Sequence, residues 1–335
     1  MVLVTGGTGL VGAHLLLHLV QNNTPVRAIY REGSNLKRVE KVFSYYTKNA
    51  SELFNNIEWF LADINDIPAL EKAFKDVEYV YHSAALISFD PGQYRKLKKV
   101  NSKGTMNIVN LCLFFNVKKL CYVSTIGAIG SSAKGIKANE DNDWTGKEAN
   151  VYALTKQRAE MEVWRGSQEG LAVVIVNPGV IIGPGFWDTG SGKLFKIANK
   201  EFRYYPPGGT GFIAVGDVVT MMVSLMHANI INEQFIAVNK NLTYKNILTR
   251  ISRQLGKKAP ARELKNWQLK IGRLLDYVKN VLTKNERKIT KKTIYSLRHR
   301  EIYDNQKIIN AIDFKFEPLD KSIAFSCKIF KEENP

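Results

Sequence analysis

The stretch Thr5-Gly6-Gly7-Thr8-Gly9-Leu10-Val11-Gly12 constrains this chain more than any other. It follows the apolar run Val2–Thr5 and leads directly into a helical pattern over Val11–Val20. Three glycines placed between a strand and a helix each answer a physical need. Gly6 permits a tight turn, Gly9 lets backbone approach a pyrophosphate, and Gly12 lets helix and strand pack closely. Unpaired N–H groups at the helix start add partial positive charge for the phosphates. Thr8, Leu10 and Val11 lie in the same turn and join the glycines as candidate dinucleotide-binding residues.

Beyond this turn, strands and helices alternate. Pro25–Tyr30, Ile57–Leu61, Glu78–His82, Lys119–Ser124 and Ala172–Val176 read as strands, while Ile67–Lys75, Asn101–Phe115 and Tyr152–Arg165 read as helices. Short apolar strands separated by helices imply a parallel sheet covered on both faces, and right-handed crossovers favour a doubly wound arrangement. The expected fold is therefore α/β. Residues 1–176 form a Rossmann-type doubly wound parallel sheet that binds NAD or NADP, and residues 177–335 a smaller, mostly helical substrate-binding lobe. Glycine and proline cluster in GPGFWDTGSG (183–192) and PPGGTG (206–211), which mark loops. Helices are expected over Asp217–His227 and Glu263–Leu282, and some of the lobe's segments are expected to return to the sheet.

A tyrosine followed four residues later by a lysine occurs at Tyr94/Lys98, Tyr152/Lys156 and Tyr303/Lys307. Spacing alone does not separate them, but position does. Only Tyr152 opens a helix at the carboxyl end of the sheet, where doubly wound folds place ligands, and Lys156 shares its helical face. A phenol titrates near pH 10, so proton exchange near neutrality needs a stabilised anion. A lysine cation and a cationic nicotinamide nearby would lower that pKa.

Several motifs in order resemble the extended short-chain dehydrogenase/reductase family over about residues 1–230. These are the glycine spacing itself, Asp63-Ile64, HSAA (82–85), NSKGTMN (101–107) and NPGVIIGPG (177–185). The resemblance implies adenine contacts from Asp63 and Ile64, and cofactor contacts from Ser83, Ala84, Ala85, Asn177, Pro178 and Val180. It implies that Lys156 holds the nicotinamide ribose and that Thr125 is the catalytic hydroxyl, with Ser124 beside it. Asn101 matches a family asparagine, although a helix cap would account for it equally. His82, at a buried strand end, reads more simply as a structural group, and Asp217 as an N-cap.

The second strand ends in Tyr30-Arg31, where NAD binders usually carry an acid for the ribose 2′-hydroxyl. A guanidinium grips a 2′-phosphate that a carboxylate would repel. Arg31, with Lys37, resembles the NADP-binding pair of plant-type dihydroflavonol reductases, so NADP is the expected cofactor. Glu32 is the acid that would instead serve NAD. Sugar-nucleotide dehydratases carry Asp-Glu after the catalytic threonine, whereas Ile126-Gly127 stand here. The resemblance thus favours hydride transfer to a small carbonyl or from an alcohol, with a nucleotide-sugar epimerase holding tightly bound NAD as the alternative. Phe89, Ile126, Phe186, Trp187, Tyr204 and Tyr205 are candidate walls of the substrate mouth, with simple core packing as the competing explanation.

Charge separates the two parts of the chain. Lys and Arg outnumber Asp and Glu by 48 to 31, and 23 of those cations against 10 acids lie from Lys240 onward. Glu263–Lys284 combines apolar residues at helical spacing with Arg262, Lys265, Lys270, Arg273, Lys279 and Lys284. A helix packed on the lobe with a solvated basic face is the favoured reading, and a non-catalytic or membrane-surface protein the alternative. No nucleic-acid motif accompanies the charge. Cys112, Cys121 and Cys327 have no metal or disulfide spacing, which fits reduced thiols in a cytoplasm, and no signal peptide is expected. Relatives of this kind pair through two helices, so a homodimer built on Leu97–Phe115 and Tyr152–Arg165 is expected.

Overall fold

The computed structural model describes residues 1–132 and 136–334. Its strands are β1 (Val2–Thr5), β2 (Val26–Tyr30), β3 (Ile57–Leu61), β4 (Tyr79–His82), β5 (Lys119–Val123) and β6 (Val173–Pro178). In the later part of the chain come β7 (Val180–Ile182), β8 (Tyr204–Tyr205), β9 (Gly209–Ala214), β10 (Glu233–Ala237), β11 (Lys240–Thr243) and β12 (Arg262–Glu263). The helices of the first half are α1 (Leu10–Gln21), α2 (Leu36–Ser44), α3 (Ala50–Asn55), α4 (Ile67–Ala73), α5 (Tyr94–Leu97), α6 (Gly104–Phe114) and α7 (Val151–Gln168). Those of the second half are α8 (Gly192–Asn199), α9 (Val215–His227), α10 (Tyr244–Leu255), α11 (Asn266–Thr283), α12 (Lys291–Arg298), α13 (Gln306–Ile312) and α14 (Leu319–Glu333).

Seven strands pair in parallel in the order β3-β2-β1-β4-β5-β6-β10. This is a doubly wound sheet with its switch point between β1 and β4, and the crevice for a ligand opens there at the carboxyl ends. Side chains alternate across it as strand geometry requires. Val2 and Val4 meet Leu15, Leu16, Val218 and Met221 on one face. Leu3 and Val80 meet Ile108, Cys112 and Val163 on the other.

The lobe has its own core, in which Phe195, Phe212, Ile251, Ile323 and Phe330 pack around the small sheet β7-β9-β11. Two segments return to the large sheet. Strand β10 pairs with β6 from Glu233 opposite Val174 to Ala237 opposite Pro178. Helix α13 then places Ile308 in the sheet's core, with Phe314 just beyond.

Four elements depart from expectation. Helices α2 and α3 fill the connection between β2 and β3, which the strand pattern left blank. The helix expected from Asn101 begins at Tyr94 and runs through a π-helical stretch, Lys98–Lys103, into α6. Asp217 is not a cap, because Ala214 precedes α9. Its carboxylate instead accepts the Glu317 N–H at 3.1 Å, and burial pushes its pKa up to about 6. Helix α11 does not pack its apolar face on the lobe. Leu269 is its one buried residue, and Trp267, Leu274, Leu275 and Leu282 stand exposed.

Candidate active site

The glycine turn is built by backbone meeting backbone. Gly6 has φ +74°, and a Cβ there would lie 2.5 Å from the Ala84 nitrogen at the end of β4. A Cβ on Gly12 would lie 2.1 Å from the Gly6 carbonyl oxygen. Neither position admits a side chain, which is how α1 approaches the strand end so closely. Gly9 caps α1 without any side-chain hydrogen bond, so the first N–H groups of the helix stay open to a ligand. Thr8, Leu10 and Val11 are half-buried around that opening. The cradle suits a pyrophosphate.

The neighbouring strand end is held firmly. Thr5 Oγ1 and His82 Nδ1 are 2.5 Å apart, and His82 Nε2 is 2.8 Å from Thr105 Oγ1. With both ring nitrogens engaged, burial drives the His82 pKa down to about 3, helped by the nearby Lys156 charge. His82 is therefore a neutral structural tie. Ser83 Oγ donates to the Thr5 carbonyl at 2.8 Å, and Ala84 and Ala85 follow at the crevice. Asp63 accepts the backbone and side-chain N–H groups of Asn65, and the Ile64 carbonyl accepts the Asn107 amide at 3.0 Å. Past β2, half-buried Tyr30 lies edge-on to Trp59, while Arg31, Glu32 and Lys37 are exposed. Among the described residues neither Arg31 nor Lys37 forms an ion pair.

Tyr152 and Lys156 share the first turns of α7, whose N-cap Asn150 accepts the Ala153 N–H at 2.9 Å. Lys156 is 2% exposed. Its Nζ donates to the Val123 carbonyl at 2.7 Å and sits 4.2 Å above the Tyr122 ring. Burial lowers its pKa from 10.5 to about 7, opposed by the charge of Glu160. Tyr152 is half-buried, and burial pushes its phenol up to about 12. The expected lowering is therefore not present in the protein by itself. Desolvation outweighs a lysine that is only partly charged and is turned toward a carbonyl.

Thr125 ends the same strand region. Its Oγ1 accepts the Gly127 N–H at 3.2 Å, and the hydroxyl hydrogen remains for a further acceptor. Ser124 is engaged otherwise, donating to Glu160 at 2.5 Å. Asn177 donates from one amide group to the Thr125 carbonyl at 3.2 Å and to Glu160 at 2.9 Å, and its buried Oδ1 has no partner among the described residues. Pro178 and Val180 continue from it in β6 and β7. Asn101, inside the π-helical stretch, bonds both backbone groups of Leu86 and donates to Thr155 Oγ1 at 3.0 Å. It ties the loop after β4 to α7 between Tyr152 and Lys156, so the cap explanation does not apply.

The candidate substrate residues divide. Phe89 is exposed and lies edge-on to Tyr152 at 6.0 Å, and Ile126 packs in the turn after Thr125. Phe186 and Trp187 are core residues, each 7% exposed. Arg38 covers the Phe186 ring, and the Trp187 indole donates to Glu333 at 2.5 Å between Phe195 and Phe330. Packing explains those two. Tyr204 and Tyr205 pair with Arg262 and Glu263 at the lobe's edge. The other two tyrosine–lysine pairs are also accounted for. The Tyr94 hydroxyl accepts from Arg158 on the outside of α7, and the Tyr303 backbone N–H bonds Asn241. Glu160 went unnoticed in the sequence, although it continues the four-residue spacing of Tyr152 and Lys156.

A family model described as the NAD dependent epimerase/dehydratase family matches residues 2–237. The chain belongs to that family. Among curated relatives, sterol demethylase protein B of Methylococcus capsulatus is 28% identical over 265 residues, covering 77% of this chain and 75% of that protein. Dihydroflavonol 4-reductase of Arabidopsis thaliana is 25% identical over 194 residues, covering 55% and 50%. The crystal structure of UDP-glucuronic acid 4-epimerase from Bacillus cereus with NAD has a TM-score of 0.76 at 17% identity, covering 100% of this chain and 99% of that one, and so shares the fold. Family membership makes the chain an oxidoreductase of the NAD-dependent epimerase/dehydratase family; a curated reductase is among its relatives, and an NAD-bound epimerase shares its fold. No helix among the described residues is long and apolar enough to cross a membrane, and no group of metal-ligating side chains occurs among them.

Proposed function

We propose that the protein is an NADP-preferring oxidoreductase that moves hydride between the nicotinamide and a carbonyl or secondary-alcohol carbon. The observation that carries this reading is Lys156, buried one turn after Tyr152 on α7 and donating to the Val123 carbonyl at the end of β5, two positions before Thr125. Bound NADPH would supply the hydride. The side chains handle the proton and the alignment.

Tyr152, with its phenol pushed up to about 12, rests fully protonated at neutral pH. That is the form carbonyl reduction requires, since the oxygen receiving negative charge needs a proton donor. Thr125 retains a hydroxyl hydrogen to orient the same oxygen. Lys156, poised at about 7, exchanges protons readily and in its charged form favours the tyrosinate left after transfer. Glu160 stays buried behind it, bonding Ser124 and Asn177, and so fixes the floor under Thr125. In the alcohol direction the same groups act in reverse.

Arg31 and Lys37 support the choice of NADP, being exposed cations past β2 where a 2′-phosphate would lie. A homodimer through α6 and α7 is supported by Met161 and Phe114, which are 54% and 74% exposed. The test is NADPH oxidation across aldehydes, ketones and sugar nucleotides. Wild-type turnover should appear on a non-sugar carbonyl, and Tyr152→Phe should reduce it by about a thousandfold while leaving cofactor affinity within a few-fold. Protein-bound NAD that survives purification, with no NADPH turnover, would overturn the proposal in favour of an epimerase.

A further inference from the structure

Helix α11 is built inside out. On a helical wheel Trp267, Ile271, Leu274, Leu275 and Val278 fall in one arc, and Val281 and Leu282 extend it. Every one of them is exposed, from 45% at Val278 to 77% at Leu282. The helix attaches by its other side. Leu269 is buried, Asp276 accepts the N–H groups of Lys288 and Ile289, and Asn280 donates to the Asn285 carbonyl at 2.5 Å. An apolar arc this long on an isolated surface marks an interaction site.

We propose that α11 lies on the surface of an anionic lipid bilayer. Charge identifies the occupant. Lys270 and Arg273 flank the arc on one side and Lys279 on the other, with Lys265 and Lys284 at the helix ends. Against Lys270 and Arg273 opens a cavity of about 630 Å³, also lined by Lys291, Arg298 and His299, with no carboxylate in its wall. Such a basic recess beside an apolar face suits a phosphate headgroup whose chains meet the arc. A second copy would fit poorly. Pairing two such helices sets their lysines and arginines against each other, and Asp276, the helix's one acid, is turned inward to backbone N–H groups. The helix would lie along the surface rather than span it, because it is too polar to cross.

The same segment reaches the candidate active site. Immediately after α11, Glu286 accepts from Ser88 at 3.1 Å, and the Arg287 N–H donates to Asp90 at 3.0 Å. Between Ser88 and Asp90 stands Phe89, edge-on to Tyr152. A bilayer under α11 therefore lies next to the mouth. Taken with the hydride-transfer reading, on which this consequence rests, the substrate is a carbonyl compound or alcohol dissolved in the membrane.

Flotation of the full chain with vesicles tests the docking without any turnover. The protein should rise with vesicles of phosphatidylcholine mixed with phosphatidylglycerol, stay behind with phosphatidylcholine alone, and be released by salt. Burial of one leucine multiplies a partition constant roughly thirtyfold, so the double variant Leu274→Glu, Leu275→Glu should weaken binding a hundredfold or more. Both positions are exposed, and circular dichroism would confirm that the variant folds. The proposal is overturned if the wild type ignores the mixed vesicles, if it floats equally with neutral ones, or if sedimentation shows self-association through α11 in their place. Each of those outcomes would leave the hydride-transfer reading standing, since NADPH turnover is measured separately.

Discussion

Replacing Lys156 by methionine should make the cofactor-free protein more stable and abolish its activity. The magnitude follows from burial. The ammonium's pKa falls from 10.5 to about 7 in a residue only 2% exposed. At about 1.36 kcal/mol per pKa unit, the folded state gives up roughly 5 kcal/mol relative to the unfolded chain once both are protonated. Between those two values the unfolded chain holds a proton that the folded chain lacks. Stability from this group therefore rises with pH across that window and is lowest at pH 7 and below. Methionine retains most of the stem's packing but loses the Nζ hydrogen bond to the Val123 carbonyl, worth about 1 kcal/mol.

The net expectation is a gain on the order of 2–4 kcal/mol near pH 7, shrinking to nothing or reversing near pH 10. Urea unfolding of parent and variant at both pH values reads the gap directly. NADPH oxidation by the same samples reads the functional loss. A variant no more stable than its parent at pH 7, or a gap that does not narrow as pH rises, would refute the reasoning. It would mean that the lysine's charge is compensated in the fold and carries no desolvation penalty. A stable but inactive variant would instead show strain retained at a working site.

Two further outcomes check the cofactor end of the site. Arg31→Glu should lower kcat/KM for NADP by about 10- to 100-fold, the range expected for losing a charge-assisted hydrogen bond, and bring NAD level with it; steady-state kinetics with both cofactors reads the switch, and an unchanged preference would remove Arg31 from the 2′-phosphate. Gly12→Ala should abolish the thermal protection that NADP confers, because the new methyl group would sit 2.1 Å from the backbone oxygen of Gly6, an atom with no freedom to retreat.

Much of this architecture was legible because it is local. The strand β1, its glycine turn and α1 occupy 20 consecutive positions, and alternation of Val2, Leu3 and Val4 across the sheet follows directly from the pleat. Contacts between distant parts of the chain were not legible. Tyr45 donates to Glu333 at 2.6 Å, Trp187 shares that carboxylate, and Lys41 pairs with it. Nothing in the sequence around Trp187 announces an acid 146 positions away, so an aromatic that looked free to line a mouth is in fact committed to the lobe's core. The phenol of Tyr152 shows a different limit. A pattern of residue types reports that a lysine is near, but the sign of a pKa change depends on how much water the fold removes from both groups.

Helix α11 carries the same lesson furthest. Hydrophobic periodicity fixes that a helix has an apolar side, and economy then places that side against the protein. The periodicity holds no information on which surface is offered to the arc. Here the inward contacts are made by Asp276, which accepts backbone N–H groups, by Asn280, which donates to a backbone carbonyl, and by one buried leucine, Leu269. Seven apolar side chains left in water cost stability, and that cost is recovered only when something apolar covers them. The excess of 13 positive charges from Lys240 onward, meaningless as a fold signal, then becomes interpretable as the electrostatic half of the same surface. Composition and periodicity pointed to one object, and its orientation, which leaves the apolar side exposed, separates a packed helix from the docking face proposed for it.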